Sequence, residues 1–235
     1  MRRCAVPFTM VVLLVRAVAA QAPYRVTWWD GVSIGAAGGL GVIPSIAGLP
    51  KGAPPCAPCD PASLSGFDRI ALHTFSGPAG TASTVALFGV IAFSGYASLH
   101  GTTSAQERGN VAVMSNALAW TFAVTEWVKV LAHRSRPVLY TAAAPVAVSD
   151  LDSRKSFPSG HASIAFAAAT SYVVIAGRQG MPHRTRNALL AYGAALGIAV
   201  LRVSAGKHFP TDVIGGAALG SGIGWLAAAV HPTAQ

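Results

Sequence analysis

Apolar stretches nearly free of charge alternate with short polar links along most of this chain. Residues 77–99, 111–128, 162–177, 188–201 and 213–230 are the strongest of them. Each approaches the roughly 20 residues that carry a helix across a bilayer. A bilayer interior forces such stretches to be helical, because unpaired backbone groups find no water there. A sixth stretch, 31–50, is apolar but rich in glycine and broken by Pro44. Residues 102–110, 178–187 and 206–211 are brief polar connections, whereas the link 131–158 is long and rich in Pro, Arg and Asp. No internal repeat and no interdomain linker appears. The pattern predicts an all-α protein, one bundle of about five to six transmembrane helices. Gly216, Gly220 and Gly224 recur every four residues along the last span, which predicts close helix packing.

Composition narrows the class. Of 235 residues, 52% are hydrophobic and 11% charged, less than half the charged share of about 25% usual in soluble domains. A soluble globular domain and a disordered chain are both excluded. The net charge of +9 includes Arg2, Arg3 and Arg16 in the first twenty residues. No Lys/Arg run with interleaved aromatics follows, so no nucleic-acid partner is expected. Residues 1–20 read as a signal peptide or N-terminal anchor. Met1-Arg2-Arg3 is a basic start, 11–15 the heart of an apolar stretch, and Ala17-Val18-Ala19 a small-residue cleavage site. Arg16, beside that site, leaves an uncleaved anchor open. Cys56-Ala-Pro-Cys59 has no second pair to complete a zinc site and predicts a local disulfide in an oxidising compartment. Residues 21–77 are thus expected to be an exported segment with a re-entrant helix and the cysteine pair. Residues 78–235 are expected to form the main helical domain.

Charge beside an apolar span is expensive, so each charged residue there is a candidate for function. Three clusters stand out: Lys129 to Pro137, Pro158-Ser159-Gly160-His161, and Arg202 to Asp212. On a continuing helix Lys129, His133 and Arg136 share one face. Consecutive spans run in opposite directions, so all three clusters fall at one end of the bundle. Together they suit a phosphoryl group. Lys129, Arg136 and Arg202 offer charge to its non-bridging oxygens, the arginines by paired hydrogen bonds. Ser159 and the Gly160 amide stand at a helix N-terminus, which favours an anion. Four residues separate His208 from Asp212, so the carboxylate is expected to hold the imidazole Nδ1–H and leave Nε2 as a nucleophile. His161 is the candidate general acid.

Blander readings stand beside these. Lys129 has Glu126 one turn back as a structural partner. His133, Arg134, Arg154 and Lys155 read as solvated or headgroup-facing, and Asp68-Arg69 as a structural contact. His73, His100, His183 and His231 show no metal-ligand spacing, and no metal or other cofactor is expected.

The ordered motifs Lys129-x6-Arg136-Pro137, Pro158-Ser159-Gly160-His161 and Arg202-x5-His208-x3-Asp212 resemble the three-part signature of the type 2 phosphatidic acid phosphatase and vanadium-dependent haloperoxidase superfamily. The resemblance runs over about residues 127–214 and is closest to the membrane-bound phosphatase branch. It implies a helical bundle of the acid phosphatase/haloperoxidase kind and metal-independent hydrolysis of a phosphate monoester or pyrophosphate carried on a lipid. By position, His208 attacks phosphorus, Asp212 orients it, and His161 protonates the leaving group. Lys129, Arg136, Ser159, Gly160 and Arg202 bind the phosphate oxygens. One departure is Leu201, where many members have serine before the last arginine; it puts a hydrogen bond to Arg202 in question. Two other readings stay open, a haloperoxidase holding vanadate in the same cage and a non-catalytic bundle that binds an anion or lipid.

Membrane sidedness turns on residues 31–50. If Gln21 is exported and 31–50 spans, the site is cytoplasmic; if 31–50 is re-entrant, the site faces outward. The second arrangement is the expectation, in a bacterial inner membrane with the site toward the periplasm, because it also puts Cys56 and Cys59 in an oxidising space.

Overall fold

The computed structural model describes residues 23–234, which hold six long helices and, among the described residues, no named strand. They are α1 (Trp28–Ile46), α2 (Gly77–Leu99), α3 (Ser104–Ala132), α4 (Gly160–Arg178), α5 (Arg184–Ser204) and α6 (Pro210–Val230). Short helical turns fill the links 47–76 and 133–159. The signal-peptide reading of residues 1–20 lies outside the described residues.

Local chemistry fixes the boundaries. Ser76 caps α2 by accepting from the Ala79 amide, and Pro78 takes the first turn, where its missing N–H costs nothing. Thr103 and Gln106 form a reciprocal capping box at the start of α3. Pro210 opens α6, and Asp212 accepts from the backbone N–H of Phe209 there. The helix α3 stops at Ala132, because His133 takes a left-handed conformation with φ 48°. Arg136 therefore does not continue the face that carries Lys129, contrary to expectation; the extended backbone of the following link brings it back instead.

Helices α2, α4, α5 and α6 are long and apolar enough to cross a membrane. The stretch 111–128 lies in α3, a 29-residue helix outside that set. Its polar residues, Asn110, Asn116, Thr121 and Thr125, are turned inward and buried. Large apolar side chains such as Val85, Phe88, Leu189, Leu196 and Trp225 point out of the bundle, which suits a protein whose solvent is lipid.

The stretch expected to be re-entrant is a continuous 19-residue helix, α1. It lies parallel to α3. Asn116 reaches Asp30, Trp120 donates to Ser33 Oγ at 2.9 Å, and Trp127 donates to the Leu40 carbonyl at 3.0 Å. Gly41 makes this approach feasible, since a Cβ there would collide with Phe122 at 2.3 Å. Tyr24 consequently packs at the far end, its hydroxyl donating to the Ala228 carbonyl at 3.1 Å.

Helix α4 is the axis. In its most apolar stretch 61% of residues are buried, against 28% in α2, α5 and α6. Alanines at 162, 165, 167, 168 and 169 make it thin. The glycines of α6 let that helix lie directly on it: a Cβ at Gly216, Gly220 or Gly224 would stand 2.6, 1.9 or 2.6 Å from the carbonyl oxygens of Ser159, Ser163 and Ala167. The ends of α1, α3 and α5 and the starts of α2, α4 and α6 therefore share one face of the bundle. Hydrogen bonds stitch that face, from Ser76 N to the Ser204 carbonyl and from Ser159 N to the Asp212 carbonyl, each 3.0 Å.

Candidate active site

The three sequence clusters meet at this stitched face. His161, in the first turn of α4, lies within electrostatic reach of Arg202, Lys129 and Arg136. His208, in the turn between α5 and α6, is within reach of Asp212, Arg136 and Arg202. Lys129 lies against the start of α4, where a Cβ on Gly160 would be 3.2 Å from its Nζ. Lys129, Arg136, Ser159, Arg202, His208 and Asp212 are all buried. So many polar groups leave water together only if they serve one another or a shared guest.

Each cation is tethered by one partner. Lys129 Nζ pairs with Glu126 at 2.5 Å, the structural partner anticipated for it. Arg136 Nη1 pairs with Asp152 at 2.6 Å, in a turn of the long link. Arg202 Nη1 meets Ser83 Oγ of α2 at 3.3 Å. That hydroxyl answers the departure at Leu201: a serine reaches Arg202 from another helix. His161 Nε2 lies 3.1 Å from Thr84 Oγ1. Thr84 donates its own proton to the Gly80 carbonyl, so its oxygen is left to accept from His161 Nε2–H.

Tethering leaves other donors unused. Arg136 Nε, Ser159 Oγ and Arg202 Nε are buried without a hydrogen-bond partner. Leaving one buried donor unpaired costs about 1–3 kcal/mol. Unpaired buried hydroxyls also occur elsewhere, at Ser94 and Thr121 for example. Here three coincide on residues beside two histidines, and an oxyanion is the guest that would satisfy them. Beside Arg136 lies a cavity of about 190 Å³, lined also by Lys207, Phe75, Val138, Asp150 and Asp152, among others.

His208 is oriented differently from expectation. Its Nδ1–H donates to the Ser156 carbonyl at 2.7 Å, while Asp212 Oδ2 stands 3.7 Å away. Burial holds the imidazole pKa down to about 3, opposed by Asp212 and reinforced by Arg136 and Arg202. The ring is neutral, with the proton on Nδ1 and the lone pair on Nε2. Asp212 instead accepts from Ser156 Oγ at 2.5 Å, from Phe209 N at 2.8 Å and from Arg134 Nη1 at 2.6 Å. Ser156 thus joins the pair, its carbonyl on the imidazole and its hydroxyl on the carboxylate.

Arg134 corrects the solvated reading given to it, because it is bound between Asp212 and Asp68. Lys155, expected on the surface, is 5% exposed, and Arg154 has two buried nitrogens without partners. Both are drawn inward by the backbone of the link, in which Arg136 N donates to the Ser153 carbonyl and Ser156 N to the Arg134 carbonyl. His133 is exposed, as read. Ser83, Thr84, Asp152, Ser156 and Arg134 are the contributors sequence reasoning missed. Only Arg134 and Ser156 had a signal, their place within or beside the motifs.

Cys56 and Cys59 form the expected disulfide. It packs near Leu139 and Ala144, in the link that carries Arg136. Among the described residues no group of three or more His, Cys, Asp or Glu side chains is placed to hold a metal ion.

No curated protein and no solved structure matches the chain. The PAP2 superfamily matches residues 110–235, more than half of the sequence and all three clusters. By that match, the chain belongs to the PAP2 superfamily.

Proposed function

We propose that this protein is a membrane phosphatase that hydrolyses a lipid phosphate monoester or pyrophosphate through a phosphohistidine. Membership of the superfamily supports a phosphatase-type function, a phosphoric ester hydrolase, and the helical exterior is compatible with an integral membrane protein. The observation that carries the finer reading is the set of unpaired buried donors, Arg136 Nε, Ser159 Oγ and Arg202 Nε, around a neutral His208.

In this mechanism Arg136, Ser159, Arg202, Lys129 and the Gly160 amide hold the phosphate oxygens, preorganised where charge gathers in the transition state. The lone pair on His208 Nε2 attacks phosphorus, and the bond to the leaving oxygen breaks. That oxygen keeps the electron pair and takes the Nε2 proton of His161 in its imidazolium form, which the charge of the bound phosphate favours. His161, now neutral with a lone pair on Nε2, removes a proton from water. The resulting hydroxide attacks phosphorus, the P–N bond breaks back onto His208, and phosphate leaves. No step calls for a metal.

A lipid substrate is supported by the site's place at the end of the bundle, with apolar side chains exposed on the flanking helices. The same proposal turns the site toward the periplasmic side of a bacterial inner membrane. One observation supports it: the disulfide lies at the site end, which suits an oxidising space.

The test is phosphate release from a panel of lipid phosphates and pyrophosphates by purified protein, with and without chelator. His208→Ala is expected to lose at least 1,000-fold in rate while keeping its fold, on the order seen when a nucleophile is removed. Chelator is expected to change nothing. Full activity in His208→Ala would overturn the covalent mechanism.

A further inference from the structure

Asp212 does not face His208 as an isolated carboxylate. Arg134 Nη1 contacts its Oδ1 at 2.6 Å and Thr211 Oγ1 at 2.7 Å, while Nη2 contacts Asp68 Oδ2 at 2.8 Å. The guanidinium also lies over the Phe209 ring, 4.5 Å from its centre. Asp68 is held in turn by the backbone and side chain of Thr211. Two carboxylates and one guanidinium therefore stand in line behind His208, with a net charge of −1. The carboxylates' side chains are 6% and 0% exposed and the guanidinium's 25%. Asp68 comes from a short turn, Gly66–Arg69, outside the region matched to the superfamily.

A neutral imidazole that bonds phosphorus through Nε2 while keeping its Nδ1 proton becomes positively charged. In a buried site a carboxylate 3.7 Å away strongly favours that change. Arg134 alone would cancel the carboxylate, leaving a pair with no net charge beside the ring. Asp68 restores the missing negative charge by balancing Arg134. Neither residue belongs to the set assigned to the phosphate oxygens, so their influence falls on the chemical step and not on anion binding.

We propose that Arg134 and Asp68 are positioning residues for the reaction: Arg134 fixes the Asp212 carboxylate beside His208, and Asp68 offsets Arg134 so that the field of Asp212 still reaches the imidazole. This rests on the phosphatase reading above. The test uses the full-length protein in detergent, with para-nitrophenyl phosphate as substrate and inorganic phosphate as competitive inhibitor. Asp68→Asn is expected to lower kcat about tenfold, at the low end for residues that act through a catalytic partner, with KM and the inhibition constant of phosphate within about twofold. Asp68→Glu, which keeps the charge, is expected to recover most of the loss. Arg134→Lys should lose less kcat than Arg134→Gln. Should Arg134→Gln not fold, the two Asp68 variants and Arg134→Lys still decide. Unchanged kcat in Asp68→Asn would overturn the proposal, as would a kcat loss matched by an equal rise in the inhibition constant. If wild type releases phosphate and His208→Ala does not, the phosphatase reading stands whichever way Asp68→Asn falls. A wild type that releases none overturns both.

Discussion

Individual side chains in this bundle are held in one protonation state by where they sit, and His208 is the clearest case. Burial keeps its native pKa at about 3, against about 6.5 for an unfolded histidine. Between those two values the unfolded chain binds a proton that the native protein does not. His208 therefore subtracts stability as pH falls from about 6.5 toward 3, and has no such effect above that window. Melting temperature measured from pH 7 to pH 4 in detergent should fall more steeply for wild type than for His208→Gln. Equal slopes would mean that the imidazole is not held neutral. Sequence spacing found His208 and Asp212 but not the bond between Nδ1 and the Ser156 carbonyl. The i to i+4 relation offers the nearest partner along the chain. A carbonyl delivered from 52 residues away has no sequence signature. Ser83 and Thr84 were illegible for the same reason: they are two small residues of an apolar helix, and only the crossing of α2 with α4 and α5 brings them to His161 and Arg202.

Among the elements, the contact of α4 with α6 sets the geometry of the site, because His161 and Ser159 open one and Asp212 lies in the first turn of the other. The glycine stripe that looked like packing in the sequence is packing in the fold. Gly220→Ala would drive a methyl group to 1.9 Å from the Ser163 carbonyl oxygen and must push the helices apart. A loss of about 1–3 kcal/mol or more, together with a fall in kcat, is expected. Gly222 has no atom within 4 Å of its hypothetical Cβ, so Gly222→Ala should match wild type in stability or exceed it slightly. Thermal unfolding and turnover of the two variants check this, and equal behaviour would show that the stripe does not govern the approach. Helix number and spacing were legible from hydropathy alone. The end of α3 was not, because hydropathy does not register the left-handed turn at His133, a conformation histidine adopts more often than most residues but still uncommonly. The course of α1 was obscured by its glycines and Pro44, whose small or rigid side chains read as interruption. In the fold Gly41 gives α1 close contact with α3, and Pro44 lies buried at its end.

For the whole molecule, the proposed orientation turns the site end of the bundle outward. A cleaved leader would deliver residue 21 outside and, across α1, the site inside. The disulfide at the site end argues for the reverse. In a Cys4→Ser background expressed in bacteria, Lys51→Cys should react with a membrane-impermeant maleimide in intact cells, and Arg186→Cys only after permeabilisation. The opposite pattern would place the site in the cytoplasm. Both positions are exposed and at opposite ends of the bundle.

Two histidines and three cations from three stretches of chain converge where the bundle ends, and one of the rings is kept as a free base. Rapid acid- or base-quench of the protein with a ³²P-labelled lipid phosphate, followed by peptide mapping, reads that arrangement directly. An acid-labile, base-stable label on the peptide carrying His208, formed fast enough to support turnover and absent in His208→Ala, is the predicted result. Steady turnover with no covalent label at any quench time, or a label on another residue, would contradict it.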